Sequence, residues 1–212
     1  MPFQNTQKLE KSAKKVLLVD TIHPLFQKEM EQSGFECVDG TQLSKEKILS
    51  QVSDYQGLVI RSRFKIEKDF LDQCEGLKFI ARAGSGMENI DWEYAKAKGI
   101  ACVSAPEGNR DAVGEQAVGM LLSLFNNLNR ADAEVRKGIW KREENRGREL
   151  MYKTVGIIGY GNTGSAFARR LLGFNVMAMA YDKYKDDFGD DVIIESNMEG
   201  IFEEAQIVSL HL

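Results

Sequence analysis

Short apolar runs alternate along this chain with segments whose apolar residues recur at helical spacing. Val16 to Asp20, Glu36 to Val38, Gly57 to Ser62, Lys78 to Ala83 and Ile100 to Ala105 read as strands. Pro24 to Ser33, Ser44 to Val52, Glu67 to Cys74 and Asp91 to Lys98 read as helices. Consecutive strands separated by helices must be joined by crossovers, which predicts a parallel sheet with helices on both faces.

Pro106, Gly108 and Asn109 break the alternation, and a long helix is expected after them, with Asn109 as N-cap and Asp111 favouring the helix dipole from the first turn. Its apolar positions form a stripe of Val113, Ala117, Leu121, Leu124 and Leu128, flanked by Val118, Leu122 and Phe125. A helix apolar nearly all round is expected to be buried, either between two domains of one chain or against a second subunit. Lys137 to Glu149 carries mixed charge and reads as a solvated connection in which Trp140 is an anchor. Beyond it the alternation resumes, with a strand through Val155, Ile157 and Ile158, a helix carrying Ala166, Phe167, Leu171 and Leu172, and a strand from Asn175 to Tyr181. Asp191 to Ile194, a short helix near Met198 to Ala205 and a strand at Ile207 to Leu212 follow. The pattern predicts an α/β protein of two Rossmann-like parallel-sheet domains. Residues 1–105 form a flavodoxin-like α/β domain, and residues 106–212 form the N-terminal part of a dinucleotide-binding domain, incomplete at its C-terminal end.

The stretch KTVGIIGYGNTG places Gly159, Gly161 and Gly164 between a strand and a helix. Gly159 permits a sharp turn, Gly161 lets the backbone approach a pyrophosphate, and Gly164 lets the helix pack closely on the strand. The free N–H groups at the helix start then face the phosphates. Asp182 lies 21 residues beyond Gly161, close to the roughly 20-residue spacing expected of a carboxylate that hydrogen-bonds an adenosine ribose. An acid there favours NAD over NADP, a preference that Lys183 and Lys185 could soften. The same glycines would also serve a plain strand-to-helix turn, and S-adenosylmethionine enzymes place an acid similarly behind a looser glycine pattern.

Composition narrows the partners. A net charge of −4 argues against a general nucleic-acid binder. The cluster Arg136, Lys137, Lys141, Arg142, Arg146 and Arg148 is diluted by Glu134, Glu143, Glu144 and Glu149. No apolar run is long enough to span a bilayer, and residues 1–14 lack the apolar core of a signal peptide, so a cytoplasmic protein is expected. Cys37, Cys74 and Cys102 fit neither a disulfide framework nor a metal site and read as reduced, mostly buried thiols. The only histidines are His23 and His211, which makes a zinc site improbable.

Set against its flanking segments, the glycine motif resembles that of the D-isomer-specific 2-hydroxyacid dehydrogenases, most of all their phosphoglycerate dehydrogenase branch. The resemblance runs through LVIRS (Leu58 to Ser62), FIARAGSGMENID (Phe79 to Asp91), VSAPEGNRDAVGEQAVGMLL (Val103 to Leu122), KTVGIIGYGNTGSAFA (Lys153 to Ala168), MAYDKY (Met179 to Tyr184) and IFEEAQIVSLHL (Ile201 to Leu212). It implies that Arg61 and Ser62 reach the substrate's carboxylate or phosphate, where a guanidinium offers paired donors in a plane. It implies further that Gly84, Ser85 and Gly86 hold the carboxylate with backbone N–H groups, that Ser85 also touches the nicotinamide half, and that Asn109 lies near hinge and substrate. Asn162 and Thr163 match residues whose amides meet the pyrophosphate, Asp182 the ribose acid, and His211 a His-x-Pro turn lining the cofactor cleft. Gln116 departs from the family pattern, where many relatives carry histidine.

The implied activity is NAD-dependent oxidation of the CH–OH group of a D-2-hydroxy acid, with 3-phosphoglycerate of serine biosynthesis as the expected substrate, by a homodimer acting on a small molecule without nucleic acid or membrane. The family's proton-shuttling histidine and its carboxylate and arginine partners lie beyond the segment matching Leu212. The chain is therefore expected to be a truncated or partial product, inactive by itself, unstable or self-associating, with apolar surface exposed where the family's C-terminal helix would pack. His23 is expected to be structural or exposed. The alternative is a non-catalytic nucleotide-binding or corepressor-like interaction module.

Overall fold

A computed structural model describes residues Lys14 to Leu212; the polar stretch read as lacking a leader core lies, but for Lys14, outside the described residues. The chain divides into two compact units, Met1–Pro106 and Glu107–Leu212.

The first unit runs β1 (Lys14–Leu18), α1 (Pro24–Gln32), β2 (Phe35–Asp39), α2 (Lys45–Leu49), β3 (Gly57–Ile60), α3 (Lys68–Leu71), β4 (Phe79–Arg82), α4 (Trp92–Ala97) and β5 (Ala101–Ser104). Its five strands are parallel, in the order β2-β1-β3-β4-β5, the doubly wound flavodoxin-like order. β3 is buried along its whole length, as a central parallel strand must be. One face of the sheet packs Leu17, Leu58, Ile60 and Ile80 against Ile48, Ile66 and Leu71. The other packs Val16, Leu18 and Val59 against Phe26, Met30 and Phe35. Full burial of each such aliphatic side chain contributes about 1.5–3 kcal/mol.

The second unit runs α5 (Arg110–Phe125), α6 (Leu128–Val135), β6 (Thr154–Ile158), α7 (Asn162–Leu171), β7 (Met177–Tyr181), β8 (Ile194–Glu195), α8 (Met198–Glu204) and β9 (Ile207–Leu210). Its four strands are parallel, in the order β8-β7-β6-β9. In chain order this is three-two-one-four, with the direction of winding reversing between β6 and β9. Open α/β sheets bind ligands outside the carboxyl ends of their strands at such a point.

Within the single chain α5 is covered on one side: Gly114 and Leu121 are buried, and a Cβ on Gly114 would come within 3.0 Å of the Ala166 backbone on α7, while Met120 and Leu124, 65% and 73% exposed, lie on the face that the second-subunit alternative would cover. Several other expectations need correction. The apolar stripe also stops early. Asn127 takes a left-handed conformation (φ 52°), so Leu128 opens a new helix instead of continuing the old one. Asn109 stands at the N-cap position of α5 without the expected side-chain capping bond. Trp140 is 79% exposed and anchors nothing. Of the three free thiols only Cys74 is buried; Cys37 and Cys102 are half-buried. No helix among the described residues is long and apolar enough to cross a membrane.

Candidate functional site

At the carboxyl edge of the second sheet, β6 ends in a glycine turn. Gly159 adopts φ +95°, and a Cβ there would overlap the carbonyl oxygen of His211, so the turn excludes any side chain on two counts. A Cβ on Gly164 would overlap the Gly159 carbonyl, which is the close helix-to-strand approach that the spacing implied. A Cβ on Gly161 would meet nothing within 4 Å. Gly161 is the N-cap of α7 and supplies no side-chain capping bond, so the first-turn amides of Asn162 and Thr163 have neither an intrahelical nor a side-chain capping partner. Such a bare helix start, bearing the positive end of the helix dipole, suits a diphosphate.

Asp182 follows β7, and its half-buried carboxylate is fixed from two sides. Oδ2 accepts the Tyr160 backbone N–H at 2.8 Å and Oδ1 accepts that of Tyr184 at 2.9 Å. Each oxygen keeps a lone pair for a further donor, such as a sugar hydroxyl. Lys185 Nζ donates to the Tyr160 carbonyl at 2.8 Å, and the Tyr160 ring stacks on Phe188 with centroids 4.9 Å apart. Beside Asp182 opens a cavity of about 690 Å³ whose walls include Glu195, Glu199, Glu203 and Glu204.

His211 follows β9, and its backbone N–H donates to Ile158 at 2.8 Å. Its ring stacks on Phe167 at 5.2 Å, with Nε2 3.0 Å from Ser209 Oγ and Nδ1 3.3 Å from Thr163 Oγ1. Burial pushes the imidazole below its ordinary pKa. The structure thus brings Gly159, Gly161, Asn162, Thr163, Gly164, Asp182 and His211 to one sheet edge.

The first unit gathers the other candidates at its own carboxyl edge. The Arg61 side chain is exposed just beyond β3, while its backbone N–H donates to Asp20 Oδ2 at 2.6 Å. The Arg61 carbonyl accepts Arg82 Nε and Asn89 Nδ2, each at 3.2 Å. Ser62 is exposed beside it, and Ser85 is half-buried in the loop Gly84 to Gly86. That loop is tied down by Gly84 N–H to the Arg82 carbonyl and by Ala105 N–H to the Gly84 carbonyl, both 2.9 Å. Side chains on Gly84 or Gly86 would run into the Arg82 guanidinium and the Glu88 carboxylate. Asn109 belongs to the second unit. Sequence reasoning missed Asp20, Arg82 and Asn89, which hold the Arg61 backbone, and Ser209, which holds His211. Only Asp20 carried a signal, as a carboxylate ending the first strand.

A parallel βαβ unit, carrying a glycine turn after its first strand and an acid after its second, defines this chain as an α/β protein with a Rossmann-like unit. The model of the D-isomer specific 2-hydroxyacid dehydrogenase catalytic domain matches residues 16–206, and the chain belongs to that family. It is 35% identical over 169 residues to D-3-phosphoglycerate dehydrogenase of Homo sapiens, covering 80% of this chain and 32% of the relative. It is 35% identical over 176 residues to hydroxypyruvate reductase of Thermotoga maritima, covering 82% of this chain and 57% of the relative. The structure of D-lactate dehydrogenase from Aquifex aeolicus, complexed with NAD and lactic acid, superposes with a TM-score of 0.75 at 23% identity, over 94% of this chain and 60% of that one. The chain thus spans between about a third and somewhat over half of the length of these curated relatives.

Proposed function

We propose that this chain supplies the substrate-binding loop and the ADP-binding half of an NAD-dependent oxidoreductase acting on the CH–OH group of a D-2-hydroxy acid, with 3-phosphoglycerate as substrate. The observation that carries the reading is the open helix start at Gly161 with the fixed carboxylate of Asp182 beside it. Together they provide unpaired N–H donors for a diphosphate and acceptors for the adjoining ribose. The bound NAD would supply the hydride acceptor. The carboxylates around the cavity beside Asp182 disfavour a 2′-phosphate by like charge, which supports NAD over NADP.

In the first unit, the exposed guanidinium of Arg61 and the loop Gly84 to Gly86 bind and orient the substrate anion. The bonds from Asp20, Arg82 and Asn89 hold the Arg61 backbone so that its side chain leaves the strand in a set direction. The reading assigns no proton transfer to this chain: His23 caps α1, accepting the Leu25 N–H, and His211 is engaged by Ser209 and Thr163. The exposed apolar face of α5 at Met120 and Leu124 supports a homodimer.

Calorimetric titration of the chain tests the cofactor assignment. NAD is expected to bind, and NADP to bind at least about tenfold more weakly. No heat with NAD would overturn the assignment.

A further inference from the structure

The turn after β9 carries three polar side chains in series: Ser209 Oγ, the two ring nitrogens of His211, and Thr163 Oγ1, linked at 3.0 and 3.3 Å. The last belongs to the first turn of α7, whose bare amides flank the open space at Gly161. The His211 backbone is anchored by its N–H bond to the Ile158 carbonyl and by the close fit of its own carbonyl over Gly159, while the imidazole itself is held by the Phe167 stack and by Ser209 and Thr163 at its two nitrogens. A ring so fixed has little freedom except in where its proton sits.

That freedom has a consequence for Thr163. With the proton on Nε2, the ring donates to Ser209 and accepts the Thr163 O–H, which is then spent inside the protein. With the proton on Nδ1, the ring donates to Thr163 and accepts from Ser209, leaving the Thr163 O–H free to point into the helix mouth. The second arrangement turns Thr163 into a donor for an anion at the same place that the bare amides face.

We propose that Ser209 and His211 form a relay that sets the Thr163 hydroxyl as a hydrogen-bond donor to the cofactor's diphosphate, which makes His211 a positioning residue for cofactor binding. The inference rests on the dinucleotide reading of the glycine turn. Binding selects the Nδ1–H tautomer, a step with no net proton change. In acid the ring takes one proton from solvent, both nitrogens donate, Thr163 stays free as a donor, and the added charge also favours the diphosphate. Affinity is therefore expected to rise as pH falls through the titration of His211. Val113 and Gln116 of α5, Phe167 of α7 and Ile207 of β9 line the same groove as His211, and none of them ionises. Between those helices Arg170 of α7 pairs with Asp111 and Glu115 of α5, at 3.1 and 3.3 Å.

The chain holds only two histidines, and His23 is exposed at the start of α1, so nitrogen-15 NMR of the histidine side chains reads His211 against an internal reference. NAD is expected to move His211 to the Nδ1–H tautomer, leaving His23 unchanged. Calorimetry between about pH 8 and about pH 5.5 is expected to show NAD affinity rising about tenfold for the wild type. Thr163→Val and His211→Asn should flatten that profile, and Thr163→Ser should retain it. A flat wild-type profile, or a Thr163→Val variant that keeps the slope, would overturn the relay while leaving the cofactor site standing. Failure of the wild type to bind NAD at any pH would overturn the cofactor site and the relay together.

Discussion

The Oδ2 of Asp182 accepts the backbone N–H of Tyr160 at 2.8 Å, joining the end of β7 to the turn that follows β6. The acid thus serves the glycine turn as well as any sugar, because the amide it satisfies belongs to a buried residue. Asp182→Ala is expected to weaken NAD binding by about ten- to a hundredfold and to lower stability by about 1–3 kcal/mol through the orphaned amide. Calorimetry reads the first effect and urea unfolding the second. An unchanged NAD affinity would remove Asp182 from the site.

The glycines separate fold from binding. Gly159→Ala is expected to destabilise the chain by about 2 kcal/mol or more, since it forces a left-handed backbone and a collision with the His211 carbonyl. Gly161→Ala meets no neighbour, so stability should stay within about 1 kcal/mol of wild type while NAD binding falls sharply. Paired unfolding and binding measurements on the two variants distinguish these outcomes.

In the first unit, Asp72 accepts Lys68 Nζ at 2.6 Å, the Tyr94 hydroxyl at 2.7 Å and Lys98 Nζ at 2.9 Å, tying α3 to α4. These bonds, led by that from Lys68, hold its carboxyl well below the usual range. A depressed acid stabilises the fold above its ordinary value and loses that contribution as pH falls toward the depressed one. Asp72→Asn should therefore lower the urea midpoint at neutral pH, with the gap to wild type closing only in strong acid. A gap independent of pH would assign the effect to packing instead.

The exposed face of α5 gives a test of assembly. Leu124→Asp adds charge to a residue that is 73% exposed, so the monomer's fold should tolerate it. If two copies pair through this face, sedimentation velocity will show the variant as a monomer where the wild type is a dimer. A wild-type monomer, or a dimeric variant, would remove α5 from the interface.

The sequence by itself determined the alternation of strands and helices, because a strand buried on both faces has to be apolar throughout and a crossover helix has to show its own period. It determined the glycine turn as well, since a left-handed residue and a close backbone approach admit glycine almost alone. Tertiary structure decided what lies far apart in the chain. The Thr163–His211 bond spans 48 residues and the Asp20 grip on the Arg61 backbone spans 41, and no local period encodes either. It also decided how much of α5 is covered: apolar composition states what a helix prefers, while the one face laid against α7 and the exposed Met120 and Leu124 depend on which neighbours arrive.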